Sequence, residues 1–355
     1  MSGWPKRQWL RAEHLLPVLS VVVALIAFAV VPGIYGDQLN SGAWYNCFQG
    51  FAPLGLVALG LGLTLVAGEF DVSVLGMQVL GGALAVRAGG HSGLVGVAAA
   101  LAGCGFLGFV QGYLIARWRL PSLPVTIGSY IALIGLTNVI ADNNTLTYGD
   151  TAVSIWIDHT VLGWFSPHSL VTFAVFVVAI VLIGCTRVGP QLKALGGDRR
   201  ASRVSGVPVE RRLVFLFTMS ASLAALAGVL SAYSEASAEL DPGVQPLILA
   251  VAAAVLGGVS LSGGRGVVWG LLLGSLAVAL LEQLFTVIAL SASTTQIVFG
   301  ALLLLIVCAD APHLKAMLGA AGQRHAQRSQ RIATGPGGAP AAPVNASGDA
   351  ASRSS

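Results

Sequence analysis

Charged residues are scarce in this sequence. Asp, Glu, Lys and Arg make up 10% of its 355 residues, whereas about 25% is usual for a soluble domain. Hydrophobic residues make up 55%, and the mean hydropathy is +0.81. This shortage of charge excludes an ordinary soluble globular domain. Apolar runs of about 20 residues match helices that cross a bilayer, so the sequence predicts an all-α polytopic membrane protein.

The sequence also lacks the motifs of several enzyme classes. It has no nucleotide loop ending in Gly-Lys-Ser/Thr, no His-Glu-x-x-His zinc motif and no Gly-x-Ser-x-Gly nucleophile motif. Its four cysteines show no metal-ligand spacing. We therefore predict no catalytic residue, metal site or cofactor in this chain, and any chemical energy must come from a partner. The net charge of +4 lies in loops and ends, which indicates membrane topology rather than nucleic-acid binding.

Ten apolar runs are predicted to cross the membrane and form a permease domain over residues 15–312. Basic residues before the first run, in three intervening loops and after the last run place both termini in the cytoplasm. Residues 1–14 are expected to be a cytoplasmic segment ahead of an uncleaved first helix. Residues 313–355 are rich in Gly, Ala, Pro and Ser and are expected to be a disordered cytoplasmic tail. The predicted spans are 15–35, 48–67, 72–89, 92–116, 124–141, 167–186, 213–233, 246–262, 266–288 and 294–311.

The polar segment, residues 187–212, is the strongest polar interruption of the apolar sequence. It contains seven Arg or Lys residues against Asp198 and Glu210. Each basic side chain would cost about 2.5–3.5 kcal/mol at a bilayer centre, so the segment is predicted to lie outside the lipid, in the cytoplasm. One interpretation is that it only sets the topology of the chain. The other is that it presents a structure to a cytoplasmic partner.

The residue pattern within the polar segment favours a short docking helix. Gly196-Gly197 permits a sharp turn, and Asp198 is suited to cap a helix running from Arg199 to Val204. Ser205-Gly206 is expected to end that helix. Its apolar residues Ala201 and Val204 are three apart and therefore share one face.

A few polar residues fall within or beside the apolar runs. Glu69, Asp71 and Ser73 separate the second and third runs. One interpretation is that they line the translocation path. The other is that they form a tight turn and cap the next helix. Residues two apart do not face each other on a helix, so the two acids are not predicted to act as a pair. Asn138 and Glu282, with Gln111 and Gln283, suit interhelical hydrogen bonds or the translocation path. We predict Glu69, Asp71, Ser73, Asn138 and Glu282 as path residues.

Two further loops have a distinct composition. Residues 142–166 are predicted to lie outside the cell and contain Trp156, Trp164 and Phe165. These aromatics suit anchoring at the lipid headgroups, or a short external helix that contacts a partner. Residues 256–266 are rich in Gly and Ser, lack the ending of a phosphate loop, and are predicted to form a closely packed turn.

Three of these stretches resemble the permease subunits of bacterial ABC importers for ribose, xylose and arabinose. Residues 67–74, AGEFDVSV, are similar to that family's Gly-Glu/Gly-Ile-Asp-Leu-Ser-Val segment. Residues 194–207, ALGGDRRASRVSGV, resemble its Gly-Gly-Asn-x-x-Ala-Ala-x-x-Ser-Gly-Ile loop, with Asp198 at the usual Asn and Ser202 at a usual Ala. Residues 255–266, VLGGVSLSGGRG, resemble its Leu-Gly-Gly-Thr-Ser-Leu-x-Gly-Gly-x-Gly segment. The resemblance covers about residues 15–312.

This resemblance implies the ABC importer permease fold and a pore-forming role in the bacterial cytoplasmic, or inner, membrane. The expected partners are cytoplasmic ABC ATPase subunits that bind ATP, a second permease subunit, an extracytoplasmic sugar-binding protein and membrane lipid. The polar segment would couple to the ATPase through Gly197, Asp198, Arg199, Ala201, Val204, Ser205 and Gly206. The alternatives are a stand-alone secondary transporter or facilitator, and an ABC permease for nucleosides or branched-chain amino acids.

Overall fold

The chain folds into long helices with two very short strands. The computed structural model describes residues 6–34, 40–90 and 92–310, and side chains within 15–305 of these ranges. The chain divides into the units Met1–Val307 and Cys308–Ser355. The expected tail, 313–355, and the first five residues of the expected segment 1–14 lie outside the described residues. The helices are α1 Lys6–Ile34, α2 Ser41–Val66, α3 Val74–Ala88, α4 Gly93–Trp118, α5 Ser122–Ile140, α6 Thr151–Ile157, α7 Pro167–Gly184, α8 Val188–Gly197, α9 Arg199–Val204, α10 Val209–Ser234, α11 Gln245–Leu256, α12 Val268–Val287 and α13 Ala292–Asp310.

Two long helices form the centre of the first unit. In the most apolar stretch of each helix, 83% of the residues of α2 and 67% of the residues of α10 are buried. The helix α2 packs against α7, α10, α11 and α12, while α10 also packs against α3 and α4. Only 17% of α5 is buried. Its outer face is apolar, with Ile131 at 65% and Val139 at 72% exposure, as expected of a surface that faces lipid rather than water.

Seven helices within the described residues are long and apolar enough to cross a membrane: Leu15–Ile34 of α1, and α2, α4, α5, α7, α10 and α12. The three other predicted spans are shorter apolar helices, α3, α11 and Ala292–Leu305 of α13. The 12 residues of α11 cover only about 18 Å, against roughly 30 Å for a hydrocarbon core. The prediction that this span continues to residue 262 was wrong, because α11 ends at Leu256.

Matching glycine caps end α2 and α11. Glu69 N donates to Thr64 O at 2.9 Å, and Gly68 has φ +77°. Val259 N donates to Ala254 O at 3.0 Å, and Gly258 has φ +79°. Each is the six-residue hydrogen bond of a Schellman cap. Such a cap needs one residue in the left-handed backbone conformation, which glycine adopts without strain. The two caps account for the ends of both helices.

The opposite end of the unit, away from the polar segment, contains the predicted external loop. Its strand β1, Leu146–Thr147, pairs antiparallel with β2, Ser237–Ala238, with Leu146 opposite Ala238. Tyr148 stacks on Tyr233 of α10 with ring centroids 4.5 Å apart. The predicted short external helix is α6. These contacts fix the loop against the end of α10.

Candidate functional site

The polar segment contains the short helix that its sequence predicts. Asp198 caps α9, because its Oδ1 accepts hydrogen bonds from Arg200 N at 2.7 Å and Ala201 N at 3.1 Å. At the other end, Val207 N donates to Ser202 O at 3.0 Å, and Gly206 has φ +80°. All of these bonds are local in sequence. They therefore stabilise both ends of a helix of only six residues without bonds to distant parts of the chain.

One face of α9 is open and one is attached to the rest of the chain. Val204 is 91% exposed, and Ala201 on the same face is also exposed. Ser202, on the other side, is 4% exposed. Arg203 donates to Glu210 Oε1 at 2.7 Å, which ties α9 to the start of α10. An apolar side chain exposed on a strongly basic segment is an arrangement suited to contact with another protein.

The prediction of a turn at Gly196-Gly197 was wrong, because both residues belong to the last turn of α8. Gly196 serves close packing instead. A Cβ on Gly196 would overlap the carbonyl oxygen of Val66 and the amide nitrogen of Gly264. A Cβ on Gly263 would lie 2.8 Å from Gly68 Cα, closer than real atoms come. We name Gly68, Gly196, Gly263 and Gly264 the glycine junction.

The glycine junction joins three segments that are far apart in sequence. Gly264 N donates to Val66 O at 2.9 Å, so the turn after α11 is bonded directly to the end of α2. The end of α8 packs between them. Backbones this close leave no space for a side chain between them, so the end of α8 and the two turns are in direct backbone contact.

An ion pair between a buried carboxylate and a half-exposed arginine provides a second link between the polar segment and the membrane helices. Glu69, in the turn between α2 and α3, is 5% exposed and pairs with Arg199 at the start of α9. Arg212 Nε donates to Gln191 Oε1 at 2.6 Å, which holds α8 against α10. A buried carboxylate needs such a partner, since leaving it unpaired is strongly unfavourable. The structure thus places Glu69 against the polar segment.

Asp71 and Ser73 lie in a closed hydrogen-bond network instead of at an open surface. Asp71 is 1% exposed. Its Oδ1 accepts from Ser73 N at 3.0 Å, and its Oδ2 accepts from Ser220 Oγ of α10 at 2.8 Å. Gln111 of α4 donates to Ser73 Oγ at 2.9 Å. Of the two interpretations left open for Ser73, capping by its side chain is not seen, since that side chain makes no cap bond to α3. This Asp71 network connects the turn before α3 to α4 and α10.

We expect Asp71→Asn to be tolerated and Asp71→Ala to lower both folded yield and thermal stability. Asn keeps an acceptor for Ser73, and its NH₂ can donate to Ser220, because a hydroxyl accepts as well as donates. Ala leaves several buried polar groups unpaired, at about 1–3 kcal/mol each. Thermal unfolding of the detergent-purified chain is the measurement. Equal stability of the two variants would contradict a structural role for these hydrogen bonds.

A second polar network lies at the opposite end of the unit. Asp158, which follows α6, accepts from Gln49 Nε2 of α2 at 2.7 Å and from Ser234 Oγ of α10 at 2.8 Å. Ser166 Oγ donates to Gln49 Oε1 at 2.6 Å. The external loop is therefore anchored to both central helices. Sequence analysis missed this anchor, because a single acid in a polar loop carries no periodic or spacing signal.

The remaining path candidates do not join these networks. Asn138 is partly buried on α5, and Glu282 is partly buried on α12. The helices α5 and α12 are not among the pairs that pack closely against each other. Their role on the path stays a prediction. Within the described residues, no group of three His, Cys, Asp or Glu side chains is placed to hold a metal ion.

Comparison with known proteins identifies the family of the chain. Residues 45–307 match the family described as the permease component of the branched-chain amino acid transport system. The chain belongs to this permease family. No solved structure matches the permease. With seven helices among its described residues able to cross a bilayer, it is a multi-pass protein of the inner membrane.

Several curated relatives cover most of the permease. It is 29% identical over 314 residues to the ribose import permease protein of Escherichia coli strain K12, which is 86% of this chain and 96% of that protein. It is 28% identical over 309 residues to the fructose import permease protein of Rhizobium meliloti, 83% and 84% of the two chains. It is 28% identical over 294 residues to the L-arabinose ABC transporter permease protein of Azospirillum brasilense, 82% and 86% of the two chains.

Proposed function

We propose that this permease is the pore-forming subunit of an ATP-driven importer that carries a monosaccharide into the cell. ATP is bound by separate cytoplasmic ATPase subunits, and a sugar-binding protein delivers the substrate from outside. A second permease subunit completes the pore, and this chain is not itself an enzyme. The substrate class is supported by relatives that import ribose, fructose and L-arabinose, although the family description refers to branched-chain amino acids.

The observation that carries this proposal is the construction of the polar segment. Its helix α9 exposes Val204 and Ala201 while its other side is attached to the membrane helices through the Glu69–Arg199 pair and the glycine junction. We infer that the segment lies in the cytoplasm, where α9 seats in the ATPase. The same orientation places both termini inside and makes α3, α11 and α13 the three short members of a set of ten spans.

In this mechanism, closure of the ATPase pushes on α9 and α8. The push reaches the turns at Gly68 and Gly264 through direct backbone contact, and it reaches α10 through Arg212 and Gln191. The helix α10 spans from the Asp71 network to the Asp158 network, so displacing it alters both ends of the unit together. Rigid-body rocking of this kind gives alternating access to a central path.

The alternative of a stand-alone secondary transporter is less well supported. Such a transporter needs a carboxylate that is free to exchange a proton or an ion during transport. Glu69 is instead paired with Arg199, and Asp71 accepts hydrogen bonds from Ser73 and Ser220. Glu282 remains as a candidate carboxylate on α12, where it is partly buried.

A pull-down from detergent-solubilised membranes tests the proposal. Tagged wild-type permease is compared with a chain in which residues 197–206 are scrambled. We expect an ABC ATPase to co-purify with the wild type and to be lost with the scrambled chain. If no ATPase co-purifies under conditions that preserve other ABC complexes, the polar segment only sets topology and the secondary-transporter alternative is favoured.

A further inference from the structure

A cavity lies between α7, α8 and α12, at the end of the unit that contains the polar segment. Its volume is ≈ 400 Å³, whereas about 10–15 Å³ suffices for one water molecule. The helices α8 and α12 each pack against α2 and α7, but they are not among the pairs that pack closely against each other. The cavity is therefore the gap between α8 and α12, and we name it the α8–α12 cavity.

The inner wall of the α8–α12 cavity is apolar. Leu63 of α2, Leu192 of α8 and Leu271 of α12 line it, and each of these side chains is buried. Ile180 and Ile183 of α7 line the wall beside them. Aliphatic side chains offer water no hydrogen-bond partners, so water does not fill such a space stably. The occupant that fits this wall is a hydrocarbon chain.

The open side of the cavity adjoins the surface of α7 that faces lipid. Gly184, the last residue of α7, lines the cavity and is exposed. Val177 and Val181 lie one helical turn before Ile180 and Gly184 and are 60% and 52% exposed. Such apolar exposure is expected of a helix face in contact with acyl chains. An acyl chain of the bilayer can therefore enter the cavity sideways without crossing water.

Positive charge marks the opening of the cavity. Lys193 of α8 lines the cavity and is partly exposed, and no Asp or Glu is among the described residues that line it. The polar segment around it has seven basic residues against two acidic ones. Both acids are already engaged, because Asp198 caps α9 and Glu210 pairs with Arg203. The opening therefore has the charge that complements an anionic lipid headgroup, and basic pockets between transmembrane helices suit such headgroups.

We propose that the α8–α12 cavity binds one acyl chain of an anionic phospholipid from the bilayer, with the lipid phosphate bound by Lys193. Lipid tails are as apolar as Leu, so the chain alone gains little on leaving the bilayer. Selection of this lipid over a zwitterionic one comes from the headgroup. The site requires only that the chain spans the membrane, and it does not depend on the proposed function.

A bound acyl chain would also restrict α8. Arg212 of α10 donates to Gln191 of α8 at 2.6 Å, and Gly196 at the end of α8 lies in the glycine junction. These contacts hold α8 on its other sides, and the cavity leaves it space on the side of α12. Filling that space limits the shift of α8. Any effect on transport rests on the proposed function, and it is therefore measured separately from binding.

The binding test uses the full-length permease in vesicles of phosphatidylglycerol, which is anionic, and phosphatidylcholine, which is zwitterionic. One of the two lipids has brominated acyl chains, which quench tryptophan fluorescence on contact. Trp269 lines the cavity. The difference in fluorescence between the wild type and Trp269→Phe separates its signal from that of the other tryptophans.

Two variants alter the site, and each has a matched control. Lys193→Gln removes the charge at the opening, whereas Arg211→Gln removes an equal charge from an exposed position of the polar segment that does not line the cavity. Gly184→Leu places a side chain in the cavity, where an added Cβ meets nothing within 4 Å. Gly50→Leu adds the same side chain at an equally open position on α2.

We expect brominated phosphatidylglycerol to quench Trp269 of the wild type at about one fifth of the mole fraction that brominated phosphatidylcholine requires. One basic side chain gives a preference of about this size on an anionic surface. Lys193→Gln should lose the preference, and Arg211→Gln should keep it. Gly184→Leu should lower quenching by both lipids, and Gly50→Leu should match the wild type.

Three results would overturn the binding site and leave the proposed function intact, since none of them involves an ATPase. Equal quenching of wild-type Trp269 by the two lipids would show only contact with bulk lipid. An equal loss of preference in Arg211→Gln and Lys193→Gln would show a general attraction to the basic segment. Unchanged quenching in Gly184→Leu would place the acyl chain outside the cavity.

The effect on α8 is measured as ATP hydrolysis by the complete transporter in vesicles with and without phosphatidylglycerol. We expect hydrolysis by the wild type to change at least threefold between the two, and Gly184→Leu, whose side chain already fills the gap, to lose that dependence. Hydrolysis by the wild type that is independent of the lipid would overturn the effect on α8. Failure of any ATPase to assemble with the permease would instead count against the proposed function, while the quenching results would still decide the binding site.

Discussion

Replacing Gly196 with alanine abolishes transport, whereas the same replacement one residue later, at Gly197, leaves transport near the wild-type level. This is the first of the two largest effects that we expect. A Cβ on Gly196 would overlap backbone atoms of Val66 and Gly264, while a Cβ on Gly197 meets nothing within 4 Å. Backbone cannot move aside as the end of a long side chain can, so the first methyl group must push α8 out of the glycine junction.

The local cost of this replacement is moderate but its functional cost is large. Overpacking a close-packed site costs about 1–3 kcal/mol and occasionally more. We expect the unit to remain folded after a loss of stability of this size. The contact that carries movement from α8 to Gly68 and Gly264 is nevertheless opened. We therefore expect Gly196→Ala to insert in the membrane and to retain ATPase binding, while substrate uptake falls at least tenfold.

The pair of variants is checked by uptake in cells, with the amount of membrane-inserted chain measured by immunoblot. Gly197→Ala is the control, since both changes add one methyl group to the same turn of α8 and both raise helix propensity. Because Gly197 also belongs to the predicted ATPase-coupling set, co-purification of the ATPase is measured for both variants. Equal uptake by the two variants would show that the glycine junction does not transmit movement. A Gly196→Ala chain that fails to insert would assign the junction to folding instead.

Local features of this protein were predictable from its sequence. The helix α9 was predicted because Asp198, which caps it, and Gly206, which ends it, act on residues within four positions. The cytoplasmic location of the polar segment stays a prediction, and it rests on the charge of its basic residues alone. Among the described residues, the predicted apolar runs overlap the seven long helices and the three shorter apolar helices, although several boundaries differ by a few residues.

Features that depend on distant residues could not be predicted. Asp71 was a candidate from its position, but its partner Ser220 lies 149 positions away and is one of many serines in apolar runs. The sequence shows glycines near residues 68, 196 and 264, yet nothing in it indicates that they meet. Glycine permits both turning and close approach, and for this reason Gly196 was assigned to a turn although it serves packing.

The length of α11 illustrates a further limit. Apolar residues continue past its cap at Gly258, so the apolar run alone predicts a longer helix than the one that forms. A glycine at this position has an ordinary role in a transmembrane helix, and only its left-handed φ identifies it as a cap.

Placing a charge at Val204 is expected to uncouple the permease from its ATPase. Val204 is 91% exposed on α9, so neither Val204→Asp nor Val204→Lys disturbs packing within the chain. If α9 seats in an ATPase groove, a charge at its apolar face has to be desolvated without a partner. Hot-spot positions of this kind are worth about 2–4 kcal/mol, which corresponds to roughly 30- to 1,000-fold weaker binding.

The matched control is Leu162→Asp, at the opposite end of the unit. Leu162 is 88% exposed, has a left-handed backbone with φ +54° that Asp tolerates, and acquires the same charge. Co-purification of the ATPase should therefore fall at least tenfold for both Val204 variants and stay unchanged for Leu162→Asp. Loss with only one sign of charge would point to electrostatic steering by the surrounding arginines. Retention with both signs would mean that α9 is not the surface on which the ATPase docks, and the contact would then have to lie on α8.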